Sequence, residues 1–308
     1  MVLVGEYMRY VFDQGEILEE SKVSVSIRNK GLNYGLGCFE GIRAFWNESQ
    51  NQLFIFRIYD HYKRFHESGN SLHIYIPYSP IQLIHWTIQL LRQNNVREDV
   101  YIRPICFKGA STLRPDLLDP YNRVSIYCTE LQYLPKPALR VGVSSWNRTG
   151  NNMIPPQAKS TGSYLNSGLA TSEASLNGFD EAILLNDKGN VSEGPGENII
   201  IVKNNKLFTP PLSDNILAGI TRDTVIQIAK NEIQLPVVEQ SLSRTELYSA
   251  DEVFFTGTAI GIKPIINIDN RIIGKGIEGP ITKNIRFHYE RIVRGNNPNY
   301  FGYCTPVY

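Results

Sequence analysis

Apolar and polar positions alternate along residues 10–27, most regularly in VSVSI at 23–27, and this two-residue period predicts strand. The period is lost between residues 29 and 45, where glycines at 31, 35, 37 and 41 predict tight backbone rather than a long helix. Residues 53–56 predict a strand. Residues 58–68 predict a helix carrying His61 and Arg64 three apart, on one face. A second helix starts after Ser79, with Pro80 in its first turn and Gln82 closing a capping box. Leu83, Ile84, Ile88 and Leu91 form its apolar stripe, widened by Trp86 and Leu90. Strands are predicted at 100–107 and 124–129, joined by a long loop that holds two prolines.

Pro135 and Pro137 stiffen residues 133–138, which read as a linker. The pattern then resumes with strands at 139–144, 181–185, 199–202, 206–209 and 252–256. Helices are predicted at 163–177, ending at Gly178, at 220–230 and at 281–294, with a short one opened by a capping box from Ser243 to Glu246. The chain is therefore expected to be α+β, made of two α/β domains: a smaller one at 1–132 and a larger one at 139–308.

Composition narrows the class. The 308 residues suffice for two domains, and 42% hydrophobic with 20% charged residues is ordinary for a globular chain. A net charge of +1 points to no polyanionic partner, so no nucleic acid is expected. No run of about 18 apolar residues predicts a membrane helix, and the first residues lack a basic start followed by an apolar core. Cys38, Cys106, Cys128 and Cys304 are scattered without CxxC spacing, which argues against a zinc site or disulfide framework and for a reducing cytoplasm. No metal ligand set is expected.

The candidate chemistry centres on Lys159. Pro155 and Pro156 stiffen the chain before it, and Ala158, Ser160, Gly162 and Ser163 allow close approach of a bulky partner. A lysine at a pocket floor can react with a carbonyl; a solvated loop lysine fits the local stretch as well. Glu193 and Glu197 flank a Gly-Pro-Gly turn ahead of an apolar strand, and an acid there calls for a cationic partner unless the turn is solvated. Gly219 and Thr221 open a predicted helix, an end that suits a phosphate or a plain cap. Gly257 and Thr258 close a strand. Tyr101 and Arg103, two apart on a strand, suit a carboxylate or a water-facing edge. Pyridoxal 5'-phosphate (PLP) needs a lysine, an acid at its ring nitrogen and a phosphate cradle; Lys159, Glu193 and the group of Arg64, Thr221 and Thr258 answer these needs together.

The chain also resembles the branched-chain amino acid aminotransferases, PLP enzymes of fold type IV and similar in fold to D-amino acid aminotransferases. The resemblance rests on YGLGCFEGIR at 34–43, HYKR at 61–64, YIR at 101–103, Lys159 with Tyr164, SEGPGEN at 192–198, LAGITR at 217–222 and GTA at 257–259. It implies two α/β domains with the cofactor at their interface. It implies a Schiff base on Lys159, the cofactor's ring nitrogen on Glu193 and its phenolic oxygen on Tyr164. Arg64, Gly219, Ile220, Thr221, Gly257 and Thr258 would hold the phosphate end. Tyr34, Phe39, Gly41, Tyr101, Arg103, Tyr133, Thr258 and Ala259 would line the substrate side. The implied reaction transfers the amino group of L-leucine, L-isoleucine or L-valine to 2-oxoglutarate, in a homodimer or dimer-based hexamer. Related chemistries remain alternatives: a D-amino acid, an (R)-amine or a specialised intermediate as substrate, or an aminodeoxychorismate-type lyase. The loop at 109–120 departs from the short glycine-rich loop of the bacterial enzymes and adds Arg114.

Overall fold

The computed structural model describes residues 9–109, 112–131 and 136–308. They divide into two compact units. The first runs to residue 131 and takes back residues 158–162 and 291–308; the second holds 136–157 and 163–290.

The first unit is an antiparallel sheet backed by two helices. Its elements are β1 (Tyr10–Asp13), β2 (Glu16–Glu19), α1 (Lys30–Tyr34), β3 (Gly37–Phe39), β4 (Ile42–Asn47), β5 (Gln52–Phe56), α2 (Ile58–Ser71), α3 (Pro80–Gln93), β6 (Val100–Lys108) and β7 (Asn122–Thr129). A short strand at Cys304–Pro306 pairs with β5 and forms one edge; β4, β6, β7, β1 and β2 follow across the sheet. Both β3 and β4 pair with β6, on either side of a break at Glu40 and Gly41. Alternation sets the two faces. Cys38, Ile42, Ala44, Val100, Ile102 and Cys106 face the core, where Tyr62 and Phe65 of α2 and Leu83, Leu90 and Leu91 of α3 meet them. The capping box at Ser79 and Gln82 forms as the sequence predicts.

The alternation at residues 23–27 does not become a strand. The chain leaves β2 through a 3-10 turn, and Val25 and Ile27 are exposed. A two-residue period makes a strand only where a neighbour offers a ladder, and none pairs there among the described residues.

The second unit is built on a mixed sheet. It contains β8 (Leu139–Asn147), α4 (Tyr164–Leu176), β9 (Glu181–Leu185), β10 (Asn198–Lys203), β11 (Lys206–Thr209), α5 (Ile220–Asn231), β12 (Val237–Glu239), α6 (Arg244–Tyr248), β13 (Glu252–Gly257), β14 (Gly261–Ile268), β15 (Arg271–Ile272) and α7 (Pro280–Val293), whose last three residues belong to the first unit. The order is β12, β11, β10, β13, β14, β8, β9, with β15 beside β14. β8 runs parallel to both β9 and β14, whereas β10, β13 and β14 pair antiparallel. One face packs Val141, Ile183, Ile199, Ile201, Val253 and Phe255 into a core with Leu242 and Leu247. α4 lays Ala170 and Ala174 on Ala182 and Leu184.

Candidate active site

In the first unit, residues 158–162 are bound to β3 and its approach. Phe39 donates its backbone N–H to the Lys159 carbonyl at 3.1 Å, and Thr161 donates to Gly37 at 2.9 Å. The Lys159 backbone N–H donates to Ser68 Oγ of α2 at 3.0 Å. Gly35 permits this fit: its φ is +67°, and a Cβ there would lie 2.9 Å from Gly162 Cα. The lysine backbone is thus held from two sides, while Nζ lies 5.0 Å from the centre of the Phe39 ring.

Several sequence-predicted substrate residues gather here. Arg103 stacks 4.4 Å from the centre of the same Phe39 ring and donates from Nη2 to Tyr101 Oη at 2.9 Å. Gly41 lies against that hydroxyl: a Cβ on it would fall 2.0 Å from Tyr101 Oη. Lys159, Phe39, Gly41, Tyr101 and Arg103 therefore share one corner of the unit. Tyr34 is half-exposed, and its hydroxyl donates to the Leu113 carbonyl at 2.7 Å. Tyr133, also predicted on the substrate side, lies outside the described residues.

Arg64 is buried on α2, not solvated, and its partner is a residue to which the sequence reading gave no role. Nε and Nη2 donate to the two oxygens of Glu40 at 2.7 and 2.8 Å, while His61 Nδ1 meets Glu40 Oε2 at 2.7 Å. Glu40 is fully buried. Burial pushes its carboxyl up, but the Arg64 charge and the His61 bond outweigh this and hold it far below the usual carboxylate range. Burial lowers His61, so the imidazole is neutral and Nδ1–H donates to the carboxylate. The available signal was the alternation of Cys38, Glu40, Ile42 and Ala44, which sets an acid in a core-facing row.

The second unit collects the other predicted cofactor residues. Glu193 is buried and has the cation that its position calls for: Arg148 Nη2, at the end of β8, lies 2.8 Å from Oε1. Its second oxygen accepts from Asn198 Nδ2 at 3.0 Å and from the Leu217 N–H at 3.1 Å. Asn198 also donates to the Leu217 carbonyl at 3.0 Å, which ties the acid to the segment entering α5. Gly219 caps that helix, and a Cβ on it would fall 1.8 Å from Asn198 Oδ1. Ile220 and Thr221 follow in the first turn, both buried. Glu197 plays another part, accepting from the Gly196 N–H at 3.0 Å and so closing its own turn. Gly257 sits beside that turn, 3.4 Å from the Gly196 carbonyl if given a Cβ, and Thr258 and Ala259 continue from it half-buried. Tyr164 opens α4.

Three residues here were not anticipated: Arg148, Asn198 and Thr256. Thr256 pairs with Asn198 across β13 and β10, so their side chains share a face, and its buried hydroxyl has no hydrogen-bond partner.

Known proteins are similar to this chain along nearly its whole length. The amino-transferase class IV family model matches residues 37–268. A probable branched-chain-amino-acid aminotransferase of Aquifex aeolicus is 44% identical, over 98% of this chain and 97% of its own. The branched-chain aminotransferase of the thermophilic archaeon Thermoproteus uzoniensis, solved with norvaline, superposes with a TM-score of 0.93 at 43% identity, covering 97% of this chain and 99% of that one. The branched-chain amino acid aminotransferase of Thermobaculum terrenum, solved in its PLP form, gives a TM-score of 0.94 at 34% identity, covering 99% and 100%. With the family model spanning both units and relatives matching nearly end to end, this chain belongs to the class IV aminotransferases.

Proposed function

We propose that this protein is a PLP-dependent transaminase that moves the amino group of L-leucine, L-isoleucine or L-valine to 2-oxoglutarate, giving 2-oxo acids and glutamate. The observation that carries the reading is the buried Glu193, paired to Arg148, in a chain that matches branched-chain aminotransferases at 37–44% identity over nearly its full length. The residues fit the cofactor. Its ring nitrogen needs an acid, which Glu193 offers. Its phosphate needs a guanidinium and amide donors, which Arg64, Gly219, Ile220, Thr221, Gly257 and Thr258 offer. Tyr164 suits the phenolic oxygen. The unpartnered hydroxyl of Thr256, on the face it shares with Asn198, also fits a polar group that the protein alone does not supply.

When bound, PLP supplies an electron sink for the bonds at the substrate's α-carbon. The chain's own residues do the rest. Lys159 takes the α-proton and returns it, acting as general base and then general acid. Tyr101 and Arg103 receive a side-chain carboxylate, and Phe39 lends the apolar wall that an aliphatic side chain requires. The amides of Thr258 and Ala259 meet the α-carboxylate, with Tyr34 and Tyr133 completing the substrate side.

Self-association into a homodimer or dimer-based hexamer belongs to the same proposal. It is supported by exposed apolar side chains at Ile27, Leu32, Leu113, Leu118 and Tyr121. Among the described residues no helix is long and apolar enough to cross a membrane. The four cysteines are free, which suits a reducing compartment such as the cytoplasm.

An amino-donor screen with 2-oxoglutarate, reading glutamate formation, tests the reaction and the side-chain preference together. Turnover is expected with the three branched-chain L-amino acids and is expected to vanish in Lys159→Ala, along with the near-visible absorption of bound cofactor. Turnover of D-alanine or an (R)-amine without any of the three would overturn the proposal.

A further inference from the structure

We infer that Glu40 is the positioning residue for Arg64, fixing its guanidinium to receive a phosphate monoester, and that His61 in turn fixes Glu40. This rests on the reading of Arg64 as the phosphate ligand.

Glu40 occupies the break between β3 and β4, with its N–H donating to the Pro104 carbonyl at 2.9 Å, and it continues the core-facing row of Cys38, Ile42 and Ala44. A carboxylate in such a row is costly unless charge and hydrogen bonds compensate it fully. Here they do. Arg64 grips it side-on, one donor to each oxygen, and Oε2 also meets His61 Nδ1 at 2.7 Å and the Gly41 N–H at 3.2 Å. His61, Arg64 and Ser68 recur on one face of α2, and Ser68 Oγ accepts the Lys159 N–H. The helix face that holds Glu40 thus also holds the backbone of the reactive lysine.

A side-on pair fixes the plane of a guanidinium as well as its position. It engages the edge made by Nε and Nη2, so a phosphate is met by the end-on edge of the fork. The pair is electrically neutral. Glu40 therefore adds no attraction for an anion, and its effect on phosphate is geometric. This separates positioning from simple charge compensation, because the two roles predict opposite effects when the carboxylate is neutralised.

The test compares PLP with pyridoxal, which lacks the phosphate, by measuring dissociation of each from the full-length enzyme. Positioning predicts that Glu40→Gln weakens PLP by about 10- to 100-fold, the scale of a lost charge-assisted bond, and leaves pyridoxal unchanged. If Glu40 were only a counter-charge, Glu40→Gln would tighten PLP instead. Unchanged or tighter PLP overturns the inference. Glu40→Asp provides the second variant should Glu40→Gln not fold. It keeps the charge but withdraws the carboxylate by about 1.5 Å, roughly one C–C bond. Weaker PLP with unchanged pyridoxal supports positioning, and wild-type affinity for both overturns it. Arg64→Gln separates the inference from the reading beneath it, because it removes the charge that would meet the phosphate. If Arg64→Gln leaves the preference for PLP over pyridoxal intact, Arg64 is not the phosphate ligand. If it lowers that preference while both Glu40 variants keep it, only the role of Glu40 falls.

Discussion

Gly219→Ala should damage the site through a single contact. The added Cβ would fall 1.8 Å from Asn198 Oδ1 and 3.0 Å from its Cγ. Backbone strain is not the cause, since Gly219 has φ −71° and ψ 127°, open to any residue. Asn198 cannot swing aside freely, because its Nδ2 is committed to Glu193 Oε2 and to the Leu217 carbonyl, both at 3.0 Å. Moving it forfeits a bond to a buried carboxylate, about 1.5–3 kcal/mol, and a neutral one, about 1 kcal/mol. Residual crowding adds about 1–3 kcal/mol. The total, roughly 3.5–7 kcal/mol, is a large share of the ~5–15 kcal/mol that ordinarily holds a domain folded. A fall in melting temperature on the order of 10 °C is expected by calorimetry. The decisive assay is a double-mutant cycle. Asn198→Ala removes the atoms that Cβ would strike, so Gly219→Ala added to it should cost only the loss of glycine at the helix cap, about 1 kcal/mol. If the two changes add within about 0.5 kcal/mol instead, the Asn198 contact is not what requires glycine at 219.

Three further outcomes can be checked independently. Gly41→Ala would place Cβ 2.0 Å from Tyr101 Oη, turning the ring away and breaking its bond from Arg103; KM for 2-oxoglutarate should rise about 10-fold with kcat nearly constant, and the reverse split would count against the assignment. Lys30 is fully buried, 3.3 Å from Asp119 and 3.6 Å from Asp116, so Lys30→Met removes one of the cations that face the buried Asp119 carboxylate, Lys108 being another, at a cost of about 1.5–3 kcal/mol; limited proteolysis should then cut faster within residues 112–121, and an unchanged cleavage pattern would show that this pair does not anchor the loop. Burial, helped by the Glu197 charge, raises the Glu181 carboxyl above the usual range, so the native state holds a proton that the unfolded chain has lost; stability should fall as pH rises from the ordinary carboxylate range, about 4, through the raised native value, and Glu181→Gln should flatten that slope in pH-dependent urea unfolding.

Features decided within a few residues were legible in the sequence, and those decided across the sheet were not. The capping boxes at Ser79 and Ser243 need only a partner three positions on, and both form. The period at residues 23–27 had no partner strand to act on among the described residues. Glu193 shows the boundary between the two kinds of signal. That a cation must face it follows from an acid set beside buried strands. Which cation does so depends on the parallel pairing of β8 with β9, through which Arg148, whose N–H donates to the Leu185 carbonyl, comes into reach. Nothing near Arg148 in the chain marks it for that task.

Glu40 was hidden for a different reason. Four glycines between residues 31 and 41 made the stretch read as turn, and a turn excuses an acid that a strand does not. The glycines instead let separate segments approach. Gly35, at φ +67°, admits Gly162 within 2.9 Å of where its Cβ would stand, and Gly41 makes room for Tyr101. A dense run of glycine thus signals close packing of backbone as readily as it signals a bend, and the two differ in what an intervening acid implies. In a bend Glu40 would be solvated and replaceable. In the packed break between β3 and β4 it faces the core, and its burial there requires Arg64 and His61 to sit where they do. The sequence spacing of those two on α2, three residues apart, was the readable half of that requirement.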